Sequence, residues 1–226
     1  AFIAAEDQNF FQHSGIDLTG VARAILINLK NIGKGRRLVG ASTITQQVAK
    51  NFLLTNEVSW ERKVKEAILA LRMEKAFTKE RILELYLNEI YLGFQSYGVA
   101  AAALNYFDKS LDELSIAEIA YLAALPKAPN NYHPTKKREA AIARRNWVIG
   151  RMLAERYITP DQARKAVVEP LTVVAQRRET EFVQADYFAE KVRRELIALY
   201  GEEKLYKGGL SVRSTLDPHL QEIADR

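Results

Sequence analysis

The sequence contains no cysteine, which excludes disulfides and thiolate-ligated metal sites. It has only three histidines, His13, His133 and His219, so a histidine-rich metal centre is not expected. The longest run without a charge, 90–107, is interrupted by glycine and amide residues and predicts no spanning helix. The 226 residues are 48% hydrophobic and 27% charged, which excludes a disordered chain, a collagen and a small disulfide-stabilised fold.

Positive charge is unevenly distributed along the chain. The net charge is +5, yet residues 126–165 alone carry 10 basic and 3 acidic side chains. A second basic group, 34–37, lies in a glycine-rich stretch that predicts a mobile loop. Two basic zones favour an anionic partner such as a phosphate, a nucleic acid or lipid headgroups, but solvated helix faces give the same pattern.

Helix signals predominate over strand signals. Helices are predicted after polar caps at Asp17, Ser42 or Thr43, Ser59, Thr78, Ser115 and Thr159, and again over 183–200. Strand patterns are confined to 171–174 and 210–215. A change of composition near 166–182 predicts a main helical domain over 1–165, followed by a linker of α/β character over 166–226.

Two adjacent acids, Glu6 and Asp7, follow an apolar N-terminal stretch. A carboxylate that leaves a buried segment is a candidate general base because desolvation raises its basicity, although capping of a helix end is the simpler alternative. His13, close to Gly15, is interpreted as a structural hydrogen-bonding residue rather than a metal ligand.

The helix predicted from residue 59 places Arg62 and Glu66 one turn apart with Lys63 beside them. This spacing fits either an ordinary ion pair or a desolvated carboxylate held by cations. An apolar stripe from Val64 to Leu71 lies on the opposite side, and Leu69 and Met73 lie on the Glu66 side. The second half of the helix is thus apolar nearly all round, which predicts its burial. On the next helix, 78–91, the polar residues Glu84, Asn88 and Glu89 among large apolar residues predict a buried polar network.

Residues 40–47 place hydroxyl and amide side chains at a predicted helix N-terminus, where free N–H groups favour an anion. Together with residues 6–15, 62–66 and 79–88, they form an ordered set of motifs. This set resembles that of the peptidoglycan glycosyltransferases, which form the N-terminal module of class A penicillin-binding proteins and the monofunctional transglycosylases. The resemblance covers roughly residues 1–165, and the segment 126–145 is a looser match to a fifth motif.

The resemblance implies a mainly α, two-lobed, lysozyme-like fold with a cleft between the lobes. It also implies polymerisation of lipid II, with inversion, into β-1,4-linked glycan strands and release of undecaprenyl pyrophosphate. Glu6 is then the general base on the acceptor 4-hydroxyl, and Glu66 supports pyrophosphate departure with Arg62 and Lys63. The remaining substrate-binding residues are expected to be Asp7, Phe10, His13, Ser42, Thr43, Gln46 and Gln47, with Lys34, Arg36 and Arg37 as a mobile lid.

A divalent cation, Mg²⁺ or Mn²⁺, is expected at the pyrophosphate, with Glu66 as the ligand candidate. The expected partners are lipid II, the nascent glycan chain, the membrane surface and a C-terminal transpeptidase domain, with no nucleic acid. Because the sequence begins at Ala1 inside an apolar stretch, we expect an anchor before it, at the extracytoplasmic (periplasmic) face of the bacterial inner membrane. The transpeptidase motif Ser-x-x-Lys does not occur, so no penicillin binding is expected.

Two other functions are compatible with parts of the pattern. A lysozyme-like glycan hydrolase would share the fold, but hydrolysis of a neutral glycoside requires no cationic pair such as Arg62-Lys63. A helical nucleic-acid-binding module would account for the basic stretch 136–145 and would bind with steep salt dependence. No recognition-helix pattern supports that second reading.

Overall fold

The computed structural model describes residues 1–31, 40–53, 59–174 and 185–207, with 212, 214–217, 220, 221 and 223 near the C-terminus. The predicted lid residues Lys34, Arg36 and Arg37 lie outside the described residues. The helices, in chain order, are α1 (Phe2–Glu6), α2 (Leu18–Asn31), α3 (Ile44–Leu53), α4 (Trp60–Ala76), α5 (Lys79–Glu89), α6 (Val99–Phe107), α7 (Ile116–Ala124), α8 (Arg138–Ala154), α9 (Pro160–Val168), α10 (Asp186–Tyr200) and α11 (Glu202–Lys207).

The mainly α prediction is confirmed. Within the described ranges the only β pairing is an isolated antiparallel bridge between Tyr91 and Tyr97. The strand predicted over 171–174 is therefore wrong: the Leu171 carbonyl accepts from the Arg138 guanidinium at 2.6 Å rather than from a neighbouring strand. Of the second predicted strand, residues 210, 211 and 213 lie outside the described part, and the rest forms no strand.

The helix starts follow the predicted polar caps. The hydroxyls of Ser59, Thr78, Ser115 and Thr159 each accept the N–H of the residue three positions later. The N-cap of α3 is Thr43 rather than Ser42. Its hydroxyl accepts from Gln46 N–H at 3.1 Å, and Gln46 Oε1 accepts from Thr43 N–H at 3.0 Å. Ser42 is consequently left just outside the helix.

The chain forms two compact units, Ala1–Val173 and Val174–Arg226. The first unit ends eight residues later than the predicted boundary at 165 because α8 holds the following segment. Arg145, only 2% exposed, donates to the carbonyls of Val167 at 3.0 Å and Glu169 at 2.6 Å, which satisfies the C-terminal end of α9. The functional division of the chain stays a prediction.

Two hydrophobic clusters form the core of the first unit. One is built around α3, α5 and α6, and the other around α7, α8 and α9. Helix α1 contributes to both, since Ala4 is buried in the second cluster while Ile3 packs against the first. Glu6, the last residue of α1, therefore lies near the junction of the two clusters.

The burial of α4 and α5 differs from the prediction. The apolar stripe of α4 is solvent-exposed, with Val64 57%, Ile68 46% and Leu71 42% accessible, and the buried face carries Glu66 and Ala70. Helix α3 packs on that face, so the prediction that the stripe is buried is wrong. The predicted buried network on α5 is also wrong, because Glu84, Asn88 and Glu89 are all exposed and α5 buries Ile82 and Tyr86 instead.

No helix in the described ranges is both long enough and apolar enough to cross a bilayer.

Gly98 tests how tightly the connection before α6 is packed. It has φ +81°, and a Cβ there would lie 2.3 Å from the Asn88 carbonyl oxygen. We expect Gly98→Ala to lower the free energy of unfolding by about 2–4 kcal/mol, because both the backbone conformation and the space are lost. Urea unfolding followed by far-ultraviolet circular dichroism measures the change.

The matched control is Gly150→Ala in the middle of α8. No atom lies within 4 Å of the added Cβ, so helix propensity should dominate and stabilise the protein by about 0.5–1 kcal/mol. Equal effects of the two substitutions would contradict the packing described for Gly98.

Candidate active site

A cleft of about 260 Å³ opens between the end of α1, the inner side of α2 and the segment before α3. Glu6 and Asp7 line it together with Ser42 and Thr43, which are more than thirty residues away in sequence. The structure therefore brings the first two predicted motifs to one surface.

Glu6 ends α1 at the wall of this cleft. Gln47 Nε2, on α3, donates to Glu6 Oε2 at 3.1 Å. Burial raises the pKa of Glu6 above its ordinary value; the Gln47 hydrogen bond and the charges of Arg144 and Lys127 oppose the rise, and the neighbouring Asp7 adds to it. Glu6 is desolvated and has one amide partner, so its carboxylate, which faces the cleft, is more basic than that of an ordinary glutamate.

The adjacent carboxylate, Asp7, is a structural acceptor. His13 Nε2–H donates to both Asp7 oxygens at 3.0 Å, and Ile44 N–H donates to Oδ2 at 2.9 Å. Gly15 N–H donates to His13 Nδ1 at 3.1 Å, and this bond assigns the tautomer with its hydrogen on Nε2. The four groups fasten the residue after Glu6 to the first turn of α3.

Two predicted substrate-binding residues lie away from the cleft surface. Phe10 is fully buried in the first core cluster, where the Lys79 ammonium lies 4.5 Å from its ring centroid. Gln46 is 5% exposed, and its side chain is engaged in the α3 capping box with Thr43. Neither side chain is among those that line the cleft.

The motif at residues 62–66 forms a cationic group, Arg62 and Lys63, around the buried carboxylate of Glu66. Glu66 is 2% exposed; Lys63 Nζ donates to one of its oxygens, and Arg62 Nη1 lies 3.6 Å from the other. Lys63 Nζ also donates to Ser42 Oγ at 3.0 Å. Ser42 lines the cleft with Glu6, so the Lys63–Ser42 contact joins the cationic group to the cleft wall.

Sequence reasoning missed Arg144 and Lys127, whose charges act on Glu6. Arg144 lies on α8, which packs against α1, and its guanidinium stands 3.8 Å from the Trp147 ring centroid. Burial lowers the pKa of Arg144, and the negative charge of Glu6 raises it in part. The signal was present in the basic zone 126–165, but nothing local singled out these two residues.

Comparison with known proteins gives consistent results. Residues 1–153 match the family described as Transglycosylase. Penicillin-binding protein 1A of Rickettsia felis is 53% identical over all of this chain and 28% of its own length, and that of Escherichia coli is 44% identical over all of this chain and 26% of its own. A crystal structure of penicillin-binding protein 1A from Haemophilus influenzae is 36% identical, covers 75% of this chain and 21% of its own, and has a TM-score of 0.42.

The chain thus spans well under a third of the length of these relatives. The matched family covers the unit that contains the cleft, both carboxylates and the cationic group. The chain belongs to the transglycosylase family, and its first unit is a peptidoglycan glycosyltransferase domain.

Proposed function

We propose that this domain polymerises lipid II into β-1,4-linked glycan, with inversion and release of undecaprenyl pyrophosphate. The observation that carries the proposal is a pair of unlike carboxylates: Glu6 lines the cleft, and Glu66 is joined to the cleft wall through Lys63 and Ser42. Glu6 is desolvated and faces an amide, whereas Glu66 is enclosed by Arg62 and Lys63, of which Lys63 contacts Ser42 in the cleft wall. Environments that differ in this way favour one carboxylate as a base and the other as an organiser of cations.

Glu6 is the general base of the proposed step. A sugar hydroxyl is a weak nucleophile until its proton is removed as the new bond forms. Glu6 takes the proton of the acceptor 4-hydroxyl while that oxygen bonds to the anomeric carbon of the donor. The bond from that carbon to the pyrophosphate oxygen breaks on the opposite face, so the configuration is inverted.

Lys63 and Arg62 supply the opposing charge. Departure of the pyrophosphate concentrates negative charge on its oxygens, and preoriented cations stabilise that charge without reorganisation. Lys63 is 43% exposed at its side chain and contacts Ser42 at the cleft, so its ammonium is accessible to a phosphate group. Glu66 positions both cations and does not itself contact the substrate in this proposal.

The expected divalent cation is poorly supported by the residues at hand. Both Glu66 oxygens already face cationic side chains, and no cluster of three histidine or acidic residues occurs among the described side chains. The donor set does not fit a metal held by the protein alone.

The surface of the unit suits a substrate with a lipid tail. Helix α2, which lines the cleft, exposes Leu18 at 75% and Leu26 at 60%, and α4 exposes the stripe from Val64 to Leu71. Exposed apolar helix faces combined with basic residues fit contact with a bilayer surface. We place the domain at the extracytoplasmic face of the bacterial inner membrane, with the nascent glycan and a C-terminal transpeptidase domain as its further partners.

Glu6→Gln tests the base assignment. The amide keeps the size and the Gln47 contact of Glu6 but cannot accept a proton. The rate of polymerisation of labelled lipid II should therefore fall by about 10²–10⁴-fold. The control Glu80→Gln changes an exposed acid in the first turn of α5 and should retain wild-type activity. Wild-type rates in Glu6→Gln would refute the assignment, and release of soluble sugars from finished glycan without pyrophosphate would favour a hydrolase.

The pH dependence of kcat/KM should report the raised pKa of Glu6. Activity requires the ionised base, so it should be lost as pH falls, with a midpoint above the ordinary value for glutamate. Gln47→Leu removes the hydrogen bond that lowers this pKa, so the midpoint should move to higher pH. The assignment would be contradicted if Gln47→Leu left the midpoint of the pH profile unchanged. It would also be contradicted if the wild-type midpoint lay below the ordinary pKa of glutamate.

Glu66→Gln tests the organisation of the cations. The neutral amide is a weaker partner for Lys63 and Arg62, so the cations should lose their fixed positions and kcat/KM should fall about 10²-fold. Glu84→Gln is the matched control, because Glu84 pairs with Arg81 on the exposed face of α5. Equal activities of the two variants in the lipid II assay would show that Glu66 has no such role.

A further inference from the structure

The motif at residues 79–88 has no role in the proposed reaction, yet its first residue meets a carboxylate on the preceding helix. Lys79 Nζ donates to Glu74 Oε1 at 2.7 Å, and Thr45 Oγ1 donates to the same oxygen at 2.6 Å. Thr45 lies on α3, Glu74 on α4 and Lys79 on α5. One carboxylate oxygen therefore joins three helices.

This junction lies inside the first unit. The side chain of Glu74 is 8% exposed and that of Lys79 is 18% exposed, and Thr45 is fully buried. Replacement of a buried ion pair by apolar side chains is often neutral or stabilising, so such a pair is weak evidence for a role in stability. A role in orienting the three helices accounts for the buried charges better.

Polar contacts define how α4 lies on α3, because the apolar stripe of α4 faces solvent. The inner face carries Glu66, Ala70 and Glu74 at four-residue intervals. Gly15 lies against the middle of this face, where an added Cβ would be 2.9 Å from the Ala70 carbonyl oxygen and 3.2 Å from Glu74 Cγ. Small residues permit this close approach, and hydrogen bonds, which are directional, fix its angle.

Two hydrogen bonds from the beginning of α3 hold α4 near its opposite ends. Ser42 Oγ accepts from Lys63 Nζ at 3.0 Å in the first half of α4, and Thr45 Oγ1 donates to Glu74 in its last turn. Lys63 and Glu74 are eleven residues apart, which is about 16 Å along a helix. A helix held at one point can pivot about that point, whereas two separated points fix its direction. The Thr45–Glu74 bond therefore helps to keep Lys63 at Ser42 in the cleft wall.

The α5 side of the junction leads to the segment that follows Glu6. The Lys79 ammonium lies 4.5 Å from the ring centroid of Phe10, and that ring meets His13 edge-on at 6.2 Å. His13 in turn donates to Asp7, the residue after Glu6. The junction at Glu74 thus connects the helix that carries the cations with the segment that fixes Glu6.

We propose that Glu74 is a positioning residue for glycosyl transfer, which holds α4 on α3 through Thr45 and so keeps Lys63 at the cleft wall. The inference rests on the proposed function for the use of Lys63 at the pyrophosphate. Glu74 contacts no substrate in this role. Its influence on the reaction passes through Lys63, so loss of the Lys63–Ser42 contact should also remove that influence.

A double-mutant cycle on kcat/KM for polymerisation of labelled lipid II tests this route. Thr45→Val removes a hydroxyl, keeps the shape of the buried side chain and should lower kcat/KM about 10-fold, because small displacements of a charge-stabilising group are costly. Ser42→Ala removes the Lys63 contact directly and should lower kcat/KM by a similar factor. The double variant should fall about 10- to 20-fold, since both changes disrupt one contact. A fall of about 100-fold would overturn the proposal, because independent defects multiply.

The Lys63 ammonium can also be followed without turnover. In protein with isotope-labelled lysine, its nuclear magnetic resonance signal is identified by its loss in Lys63→Met. In Thr45→Val and in Glu74→Gln the signal should move toward its position in Ser42→Ala. An unchanged signal in both variants would overturn the positioning role even if lipid II is polymerised. If these shifts occur but the wild type does not polymerise lipid II, the proposed function fails and the placement of Lys63 by Glu74 stands.

Two controls match these substitutions chemically. Glu118→Gln weakens the pairing of a partly buried carboxylate on α7 with Lys109, and Thr159→Val removes the hydroxyl that caps α9. Both should lower the urea midpoint of unfolding and leave kcat/KM and the Lys63 signal at wild-type values. A loss of activity in these controls equal to that of Thr45→Val would show that stability alone explains the effect, and the positioning role would be wrong.

Discussion

The arrangement of the site depends on the carboxylate of Asp7. By accepting from His13 and from the Ile44 N–H, it ties the end of the short helix α1 to the beginning of α3. A five-residue helix has little stability of its own, so its end must be fixed by tertiary contacts. Because Glu6 directly precedes Asp7 and meets Gln47 on α3, the same tie fixes the Glu6 carboxylate against the wall that carries Ser42.

The two glutamates, Glu6 and Glu66, occupy unlike environments. Glu6 is desolvated and has only an amide as its direct partner, which favours proton uptake. Glu66 is buried as deeply as any charged residue of the unit, but two cations meet it one helical turn or less away along α4. A lone buried charge would be costly, and pairing with the two cations is what permits its burial.

Local sequence rules predicted the parts of the fold that are locally determined. The N-caps at Ser59, Ser115 and Thr159 lie where the hydroxyl residues, with the capping-box residues of Ser115 and Thr159, predicted them. The spacing of Arg62, Lys63 and Glu66 likewise predicted their contact. Arg144 could not be found in this way, because its approach to Glu6 depends on the packing of α8 against α1, and that packing follows no local pattern.

The reversed face of α4 has a different cause. Periodicity identified the apolar stripe of α4 correctly, but it carries no information about the solvent on each side. The usual rule turns such a stripe inward because it assumes water outside. Here the inward position belongs to Ala70, against whose carbonyl Gly15 packs so closely that a Cβ on the glycine would lie 2.9 Å away.

That close approach has a functional consequence under the proposed mechanism. It places Glu66 on the inner face, next to the segment that carries Ser42, and leaves the stripe of Val64, Ile68 and Leu71 facing outward. An enzyme whose substrate stays anchored in a bilayer needs cations toward its cleft and apolar side chains toward the lipid. A single amphipathic helix with its faces in this order would meet both requirements of the proposed substrate.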